Sequence, residues 1–349
     1  MNLESVFRNH LKSLRMFLEK KNLDAAIIYG APNTDVDILT WVTGNQCTYP
    51  TYLIVTPDRL IQIGIRWLEE DLKAQKTIDE VVTTSDPVEY GNAINKVVRG
   101  MKNIGLAGSP VYSDIKDFGE RTIEIENDLL ELSMVKTSLE IKAIKASCNL
   151  QKIILQSTEI KPGHTENEIA SSIDYKMRIK NATNSYPTSV ISGSRLKLTT
   201  FGAPTLRKIG KGDIVCIDSG PRLNNYRCDI TRCYAVGKAD LKPYNILSEA
   251  VKSVASKLTP GKTSRDALKL MKAELDKNKL GKYLIPIDMG HGIGVTLHEP
   301  PAVGEDDFVF QSGMTITLEP ELLLPNGRVR REDVVCITKN GGKILSNFD

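Results

Sequence analysis

Two acidic side chains, each close to an apolar segment, are the first residues in this chain whose spacing could do chemistry. Asp218 follows residues 214–217, four consecutive apolar residues that predict a buried strand. Asp229 comes eleven residues later, beyond a turn containing glycine, proline and asparagine that predicts a return hairpin. Two carboxylates held close together repel unless a cation lies between them. The pair therefore predicts a site for a divalent metal ion.

A faint internal duplication adds two more carboxylates to this pair. Asp218 corresponds to Glu319, and Asp229 corresponds to Glu332, at offsets of 101 and 103 residues. We therefore expect two similar halves, each with two helices followed by a strand hairpin, that bring four carboxylates into one cleft. The matched segments are Pro162-Gly-His-Thr with Pro260-Gly-Lys-Thr, Phe201-Gly-Ala-Pro with His298-Glu-Pro-Pro, Gly212-Asp-Ile-Val-Cys-Ile-Asp with Gly313-Met-Thr-Ile-Thr-Leu-Glu, and Asp229-Ile-Thr with Glu332-Asp-Val.

One imidazole could join these carboxylates. His291 lies in Gly290-His-Gly-Ile-Gly294, where glycines on both sides allow the backbone to approach closely. Two aspartates, two glutamates and one histidine form an oxygen-rich set that suits Mn²⁺, Co²⁺, Fe²⁺ or Zn²⁺. Five ligands, several of them able to bridge, predict two metal ions about 3.5–4 Å apart. Such a pair polarises a carbonyl and lowers the pKa of a bridging water, which is the chemistry of amide or ester hydrolysis.

Each acid also has an ordinary structural interpretation when it is taken alone. Asp218 begins an Asp-Ser-Gly segment that is typical of a turn. Asp229 could be an ion-paired strand residue, and Glu332 could belong to a solvated cluster of charges. Glu319 lies in an apolar setting and is harder to explain without a partner. The ordered and symmetric set favours a joint metal site over four unrelated acids.

Length and composition indicate a globular protein of two domains. The chain has 349 residues, of which 41% are hydrophobic and 26% are charged. The formal net charge of +3 gives no case for nucleic acid or an anionic membrane surface as a partner. We find no apolar run of the ~18 residues that a membrane span needs, and the N-terminus lacks the apolar core of a signal peptide. Six cysteines without a CxxC motif favour a reduced, cytoplasmic protein.

Secondary-structure patterns divide the chain near residue 130. Short strands alternate with helices over residues 1–130, which predicts an α/β domain. Within that domain, residues 37–44, Asp37-ILTWVTG, predict a strand. Thr137 and Thr165 are each followed three residues later by a glutamate, a spacing that predicts the start of a helix. Residues 131–349 are therefore predicted to form the second domain, which contains the site.

Motifs in the second domain resemble those of the metallopeptidases with the pita-bread fold. This family groups methionine aminopeptidases, prolidases and aminopeptidases P with creatinase. The N-terminal domain also resembles that of creatinase and prolidase. The resemblance implies an α/β domain followed by an α+β pita-bread domain with a pseudo-twofold duplication, in the prolidase and aminopeptidase P branch. The motifs that carry it are Gly290-HGIGVTLHEPP, Thr317-LEP, Arg330-REDVV and the hairpin from Asp218 to Asp229-Ile-Thr-Arg.

The resemblance also implies a ligand for each position of a dinuclear metal centre. Asp229, His291 and Glu332 would bind one ion. Asp218 would complete the centre together with the bridging ligands, and Glu319 would lie near the metal-bound hydroxide that acts as nucleophile. Mn²⁺ and Co²⁺ are the expected ions, with Zn²⁺ or Fe²⁺ as alternatives.

Three residues around this centre acquire expected catalytic roles from the resemblance. His298 would contact the substrate or the tetrahedral intermediate, and Glu319 would shuttle the proton. Arg330 would orient the carboxylates. The implied activity is hydrolysis of an Xaa-Pro amide bond in dipeptides or short peptides, by a protein that is commonly a homodimer in this family.

Departures from the family pattern keep two alternatives open. Phe201 occupies a position where the family's peptidases carry a histidine that helps to bind substrate, and residues 321–323 replace the usual Gly-Ile-Tyr. The first alternative is therefore a hydrolase of a small non-peptide amide or C–N compound, with Phe201 in its substrate site. The second is a binding protein without catalysis, which is disfavoured because the expected ligands are all present.

Overall fold

The computed structural model of the protein describes residues 3–287 and 289–348. The chain divides into two compact units, Met1–Ser133 and Met134–Asp349. Among the described residues, no helix is both long enough and apolar enough to cross a membrane.

The first unit is built on a mixed sheet with strand order β4-β3-β2-β1-β5-β6. Strands β1 to β3 pair antiparallel, whereas β1–β5, β3–β4 and β5–β6 pair in parallel. The central strands have no polar face because both sides of the sheet are covered. The elements are α1 (Glu4–Lys21), β1 (Ala25–Gly30), α2 (Ile38–Thr43), β2 (Thr51–Val55), β3 (Leu60–Ile65), α3 (Glu69–Lys73), β4 (Glu80–Thr84), α4 (Tyr90–Val97), β5 (Ile104–Ala107), α5 (Tyr112–Ile115), β6 (Thr122–Glu124) and α6 (Glu126–Ser133).

The prediction of a strand at residues 37–44 is wrong, since residues 38–43 of this segment form the helix α2. The carboxylate of Asp37 accepts a hydrogen bond from the backbone N–H of Thr40 at 3.0 Å and caps the helix. Gly44, with φ of 76°, ends it in the left-handed conformation. All six residues of α2 are buried, so the helix shows no amphipathic period and resembles a buried strand in sequence.

The second unit contains two antiparallel sheets that bear directly on the site, with strand orders β12-β9-β8 and β13-β16-β17. A large apolar core joins the second of these sheets to the helices α9 and α10. Smaller sheets have the orders β11-β10-β7 and β14-β15. The elements are α7 (Ser138–Gln156), α8 (Glu166–Arg178), β7 (Thr183–Asn184), β8 (Ser189–Ser192), β9 (Ile214–Asp218), β10 (Pro221–Leu223), β11 (Tyr226–Arg227), β12 (Thr231–Ala235), α9 (Lys242–Lys257), α10 (Ser264–Asp276), β13 (Thr315–Leu318), β14 (Glu321–Leu324), β15 (Gly327–Arg330), β16 (Asp333–Thr338) and β17 (Gly341–Ile344).

The duplication expected from the sequence is present in the fold. Capping boxes at Thr165 and Thr263 begin α8 and α10, and each threonine also forms an isolated β-bridge to a later segment. The glycines two residues earlier, Gly163 and Gly261, have φ of 95° and 91°. The hairpin β9–β12 follows the first helix pair, and the hairpin β13–β16 follows the second. The prediction of two helices and a strand hairpin in each half is confirmed.

Candidate metal centre

The five side chains that the sequence groups into one site converge in the second unit. Asp218 ends β9, and Asp229 lies just before its partner strand β12. Glu319 follows β13, and Glu332 precedes its partner strand β16. The Nε2 atom of His291 lies 3.4 Å from Glu319 Oε1 and 3.6 Å from Asp229 Oδ2. The equivalent ends of the two hairpins therefore meet at one point.

Candidate ligand atoms fall into three groups, of which two share Glu332 and the third contains Asp229, His291 and His298. One oxygen each from Asp218, Asp229 and Glu332 lies within 4.8 Å of the others. The same holds for ligand atoms of His291, Glu319 and Glu332. A shared carboxylate between two neighbouring groups is the arrangement that a bridging ligand needs.

Glycines place the imidazole of His291 close to the end of β13. A Cβ atom at Gly290, where φ is 146°, would overlap the carbonyl oxygen of Thr317. The backbone N–H of His291 donates to Thr317 Oγ1 at 3.0 Å, and its carbonyl accepts from the N–H of Thr317 at 2.7 Å. Thr317 also donates its hydroxyl to Glu319 at 2.9 Å. The close backbone approach expected from the flanking glycines is therefore present.

Two further side chains connect the carboxylates, and the sequence did not single them out. The hydroxyl of Thr231 lies 2.9 Å from Asp218 Oδ2 and 2.8 Å from Glu332 Oε2, so it links the two halves. The phenol of Tyr186 donates to Asp218 Oδ1 at 2.5 Å and also contacts Asp229 Oδ1. Thr231 belongs to the Asp229-Ile-Thr segment of the internal duplication, so the sequence could have indicated that it lies at the site. Tyr186 lies outside every repeated segment and carries no such indication.

Arg330 supplies a fixed positive charge to the cluster. Its guanidinium contacts Asp218, lies 3.5 Å from Glu319 Oε2 and 3.8 Å from Glu332 Oε2, and donates to Thr231 Oγ1 at 3.1 Å. Burial opposes the charge, but these carboxylates raise the pKa of Arg330 well above its ordinary value. One guanidinium cannot neutralise four carboxylates, so the site retains a strong preference for added cations.

The buried acids of the metal-free site hold protons more tightly than exposed acids do. Burial raises the pKa of Asp218 to about 6. Burial, followed by the charges of Asp229 and Glu319, raises the pKa of Glu332 well above its ordinary range. For His291, burial lowers the pKa, but Asp229 and Glu319 outweigh it and raise the pKa to about 9. Each shift has the direction that excess negative charge in a low-dielectric site produces.

One buried oxygen tests whether the site fits a metal ion. Glu332 is fully buried, and its Oε1 atom has no hydrogen-bond partner among the described residues. A buried carboxylate oxygen without a partner is costly, and a divalent cation would remove that cost. Carboxylate and imidazole donors suit Mn²⁺, Co²⁺, Fe²⁺ or Zn²⁺. The residues present therefore fit a divalent metal centre.

Metal binding is expected to release protons from these ligands. At pH 7 the metal-free protein carries a proton on His291, because the pKa of this imidazole is raised to about 9. Burial also raises the pKa values of Asp218 and Glu332, so these acids hold their protons more tightly than exposed acids do. Metal ligands must be deprotonated, so Mn²⁺ should displace about one proton or more, and its affinity should fall as the pH drops from 7 to 5. Titration calorimetry in two buffers of different ionisation enthalpy measures this release. Binding heats that do not depend on the buffer would contradict it.

His298 and Phe201, which correspond in the duplication, both lie beside the cluster. The ring of His298 is exposed and meets the ring of His291 edge-on, with 4.3 Å between centroids. The ring of Phe201 is 48% exposed and lies 6.3 Å from the ring of Tyr186, which carries the phenol between Asp218 and Asp229. The two halves thus present an imidazole and an apolar ring to the same cluster.

Known proteins are similar to this chain over nearly its full length. The profile of Metallopeptidase family M24 matches residues 142–339. The Xaa-Pro dipeptidase of Pyrococcus furiosus is 29% identical over an alignment 355 residues long, gaps included. The alignment covers 98% of this chain and 99% of that protein. The crystal structure of the prolidase from Pyrococcus horikoshii OT3 is similar with a TM-score of 0.85 and 28% identity, covering 98% and 99% of the two chains. The X-Pro aminopeptidase structure from Thermotoga maritima MSB8 gives a TM-score of 0.86 at 24% identity, covering 97% and 98%. The predicted pita-bread fold is confirmed.

Proposed function

This chain belongs to metallopeptidase family M24, and we propose on that premise that it hydrolyses the Xaa-Pro amide bond of dipeptides or short peptides. The observation that carries the proposal is the convergence of four carboxylates and one imidazole, among them Glu332, whose Oε1 atom has no hydrogen-bond partner within the described part of the chain. The substrate class comes from two relatives that are named Xaa-Pro dipeptidase. The chain shares 28–29% identity with them over nearly its full length.

Five residues of the chain would bind the metal ions, and other residues would contact the substrate. Asp218, Asp229, His291, Glu319 and Glu332 would hold two divalent ions. Bound there, the ions would polarise the scissile carbonyl and lower the pKa of the attacking water.

Two side chains, Glu319 and His298, would act on the reacting atoms, and Arg330 would orient the carboxylates that it contacts. Glu319 is positioned by Thr317 and Arg330, so it can accept a proton from the attacking water and pass it to the leaving nitrogen. His298 is exposed beside His291, so it can donate a hydrogen bond to the oxygen on which negative charge develops.

Several finer features belong to the same proposal. Mn²⁺ or Co²⁺ is the expected ion, because the donor set is mostly oxygen. The catalytic unit is residues 131–349 and the N-terminal domain is residues 1–130, as the sequence predicts. A homodimer and a cytoplasmic location stay predictions from the sequence.

A peptide panel with controlled metal content tests the proposal. The protein is stripped with chelator and reloaded with Mn²⁺ or Co²⁺. It is then given an Xaa-Pro dipeptide, an Xaa-Pro tripeptide and the matching Xaa-Ala peptides. We expect cleavage of the proline peptides alone, lost with chelator and restored by metal. A metal-loaded protein that cleaves none of them would contradict the proposal.

Phe201 favours one second candidate, a hydrolase of a small non-peptide amide on the same metal centre. Its ring has no polar atom to offer a peptide at the scissile bond, although its position matches that of His298 in the other half. Turnover of small amides by the metal-loaded protein, without cleavage of any proline peptide, would favour this candidate.

Replacing Phe201 with histidine should raise activity on proline peptides. The new imidazole can form one additional hydrogen bond to the substrate, which is worth about 1 kcal/mol and hence a gain of about fivefold in kcat/KM. Steady-state kinetics on one Xaa-Pro dipeptide measure this gain. Phe201→Leu is the matched control, because it removes the ring without adding a polar atom. An equal response of the two variants would show that the hydrogen bond is not responsible.

A further inference from the structure

A buried ion pair, Lys136 with Glu299, lies behind the segment that carries both histidines of the site. We call residues 290–301 the histidine loop. The side chains of Lys136 and Glu299 are 2% and 1% exposed, and the ammonium group contacts the carboxylate. Neither residue belongs to the metal-binding groups found among the described residues. A buried ion pair rarely stabilises a protein more than apolar residues of the same volume would, so this pair points to a role in positioning.

The cationic partner has a fixed backbone. The N–H of Lys136 donates to the carbonyl of Gly313 at 3.0 Å, just before β13. The next residue, Thr137, is the N-cap of α7, and its N–H donates to Glu140 Oε2 at 2.7 Å in a capping box. Gly294 of the histidine loop leaves space for the side chain of Lys136, because a Cβ atom there would lie only 2.8 Å from Lys136 Cε. The backbone of Lys136 is therefore fixed, and Gly294 leaves space for its side chain.

The acidic partner is coupled directly to both histidines. Glu299 follows His298 in the chain, so fixing its side chain fixes the backbone from which the imidazole projects. The N–H of Glu299 donates to the carbonyl of Gly292 at 3.0 Å, and its carbonyl accepts from the N–H of Gly292 at 2.7 Å. Gly292 in turn follows His291. This short bridge closes the histidine loop and brings the two imidazoles to 4.3 Å.

We propose that the Lys136–Glu299 pair is a positioning device that holds His298 beside His291 and the carboxylate cluster. A carboxylate without a buried cation would turn toward solvent and carry the end of the histidine loop with it. The catalytic consequence rests on the proposed function, in which His298 donates a hydrogen bond to the substrate. The structural consequence, the place of the His298 ring, does not depend on that function.

Imidazole NMR of the metal-free protein tests the structural consequence. The protein has four histidines, so ¹³C-labelled imidazole signals can be assigned individually. The double variant Lys136→Met/Glu299→Gln removes both charges and keeps the side-chain volumes, so no buried charge is left unpaired. We expect the signals of His298 and His291 to shift, while those of His10 and His164 stay in place. Glu299→Asp keeps the charge but shortens the side chain, and it should shift the same two signals by a smaller amount. This variant provides the test if the double variant does not fold.

A double-mutant cycle in the metal-loaded enzyme tests the catalytic consequence. Removal of the pair should lower kcat for an Xaa-Pro dipeptide by about 10²-fold with little change in KM, because a misplacement of about 1 Å has an effect of that size. In a His298→Ala background the same removal should change kcat by less than about twofold, because the pair acts through His298.

Three outcomes overturn or separate these statements. An unchanged His298 signal in the folded variants overturns the positioning role. An equal loss of kcat in both backgrounds overturns action through His298. A wild-type enzyme that cleaves no peptide contradicts the proposed function, and the imidazole signals then decide the positioning role by themselves.

Discussion

Replacing Glu332 with glutamine is expected to abolish metal-dependent hydrolysis and, in the metal-free protein, to raise the free energy of unfolding. Glu332 is fully buried, its Oε1 atom has no hydrogen-bond partner among the described residues, and it belongs to two of the three candidate ligand groups. Loss of a supporting residue alone weakens metal binding by about 10–100-fold, so loss of a shared ligand should weaken it further. We expect activity to fall by at least about 10³-fold.

The gain in stability has a defined dependence on pH. Burial and the charges of Asp229 and Glu319 raise the pKa of Glu332, so the native state holds its proton more tightly than the unfolded chain does. Stability from this group is present below the ordinary glutamate pKa and is lost as the pH rises through the raised value. Glutamine is neutral throughout, so the advantage of the Glu332→Gln variant should grow with pH and vanish near pH 4.

Urea unfolding in chelator at several pH values measures this advantage, and calorimetry with Mn²⁺ measures the lost affinity. Glu305→Gln is the matched control, because it makes the same chemical change on an exposed side chain of the second unit. It should leave metal affinity, activity and stability close to those of the wild type. A Glu332→Gln variant that binds Mn²⁺ normally would remove Glu332 from the ligand set.

Replacing Asp333 with alanine should lower the free energy of unfolding by about 3–5 kcal/mol, the usual cost of leaving a buried charge unpaired. Asp333 is fully buried, and its carboxylate accepts from Arg232 Nη2, Arg331 Nε and Ser346 Oγ, each at 2.7 Å. Both guanidinium groups are about 1% exposed. Arg232 also donates to the carbonyl of Glu332 at 2.5 Å, so metal affinity should fall together with stability.

Asp307→Ala provides the matched control for this prediction. Asp307 pairs with Arg265 through two hydrogen bonds of 2.7 and 3.2 Å, but the two side chains are largely exposed. An exposed pair of this kind contributes about 0–1 kcal/mol. Urea unfolding of the two variants should therefore separate them clearly. Equal losses of stability would show that burial of the Asp333 network is not what makes it important.

The convergence of the five candidate ligands could be predicted from the sequence because the relevant pattern repeats. Asp218 and Glu319 lie at the ends of equivalent strands, the first as the last residue of β9 and the second just after β13. Asp229 and Glu332 lie just before the equivalent return strands β12 and β16, so one pattern occurs twice. The glycines around His291 add a local steric reason for a histidine to project at that point. Strand ends, hairpins and tight backbone contacts are local features that spacing alone can predict.

The residues that the sequence did not predict reach the site from segments without a repeated pattern. Tyr186 contacts Asp218 and Asp229 across 32 and 43 positions of the chain, and Lys136 contacts Glu299 over a still longer separation. Periodicity carries no information about such pairings. The incorrect prediction of a strand at residues 37–44 has a related cause, because α2 is buried on all sides and only the Asp37 cap distinguishes it from a strand.

The division of the carboxylates between two hairpins has a consequence for the biosynthesis of the protein. A ribosome that has translated the first hairpin has produced Asp218 and Asp229, but Glu332 follows more than one hundred residues later. The nascent chain consequently cannot bring all four carboxylates together until Glu332 has been translated. A metal ion that needs all four carboxylates would therefore bind only late in synthesis, after the N-terminal sheet has had time to fold.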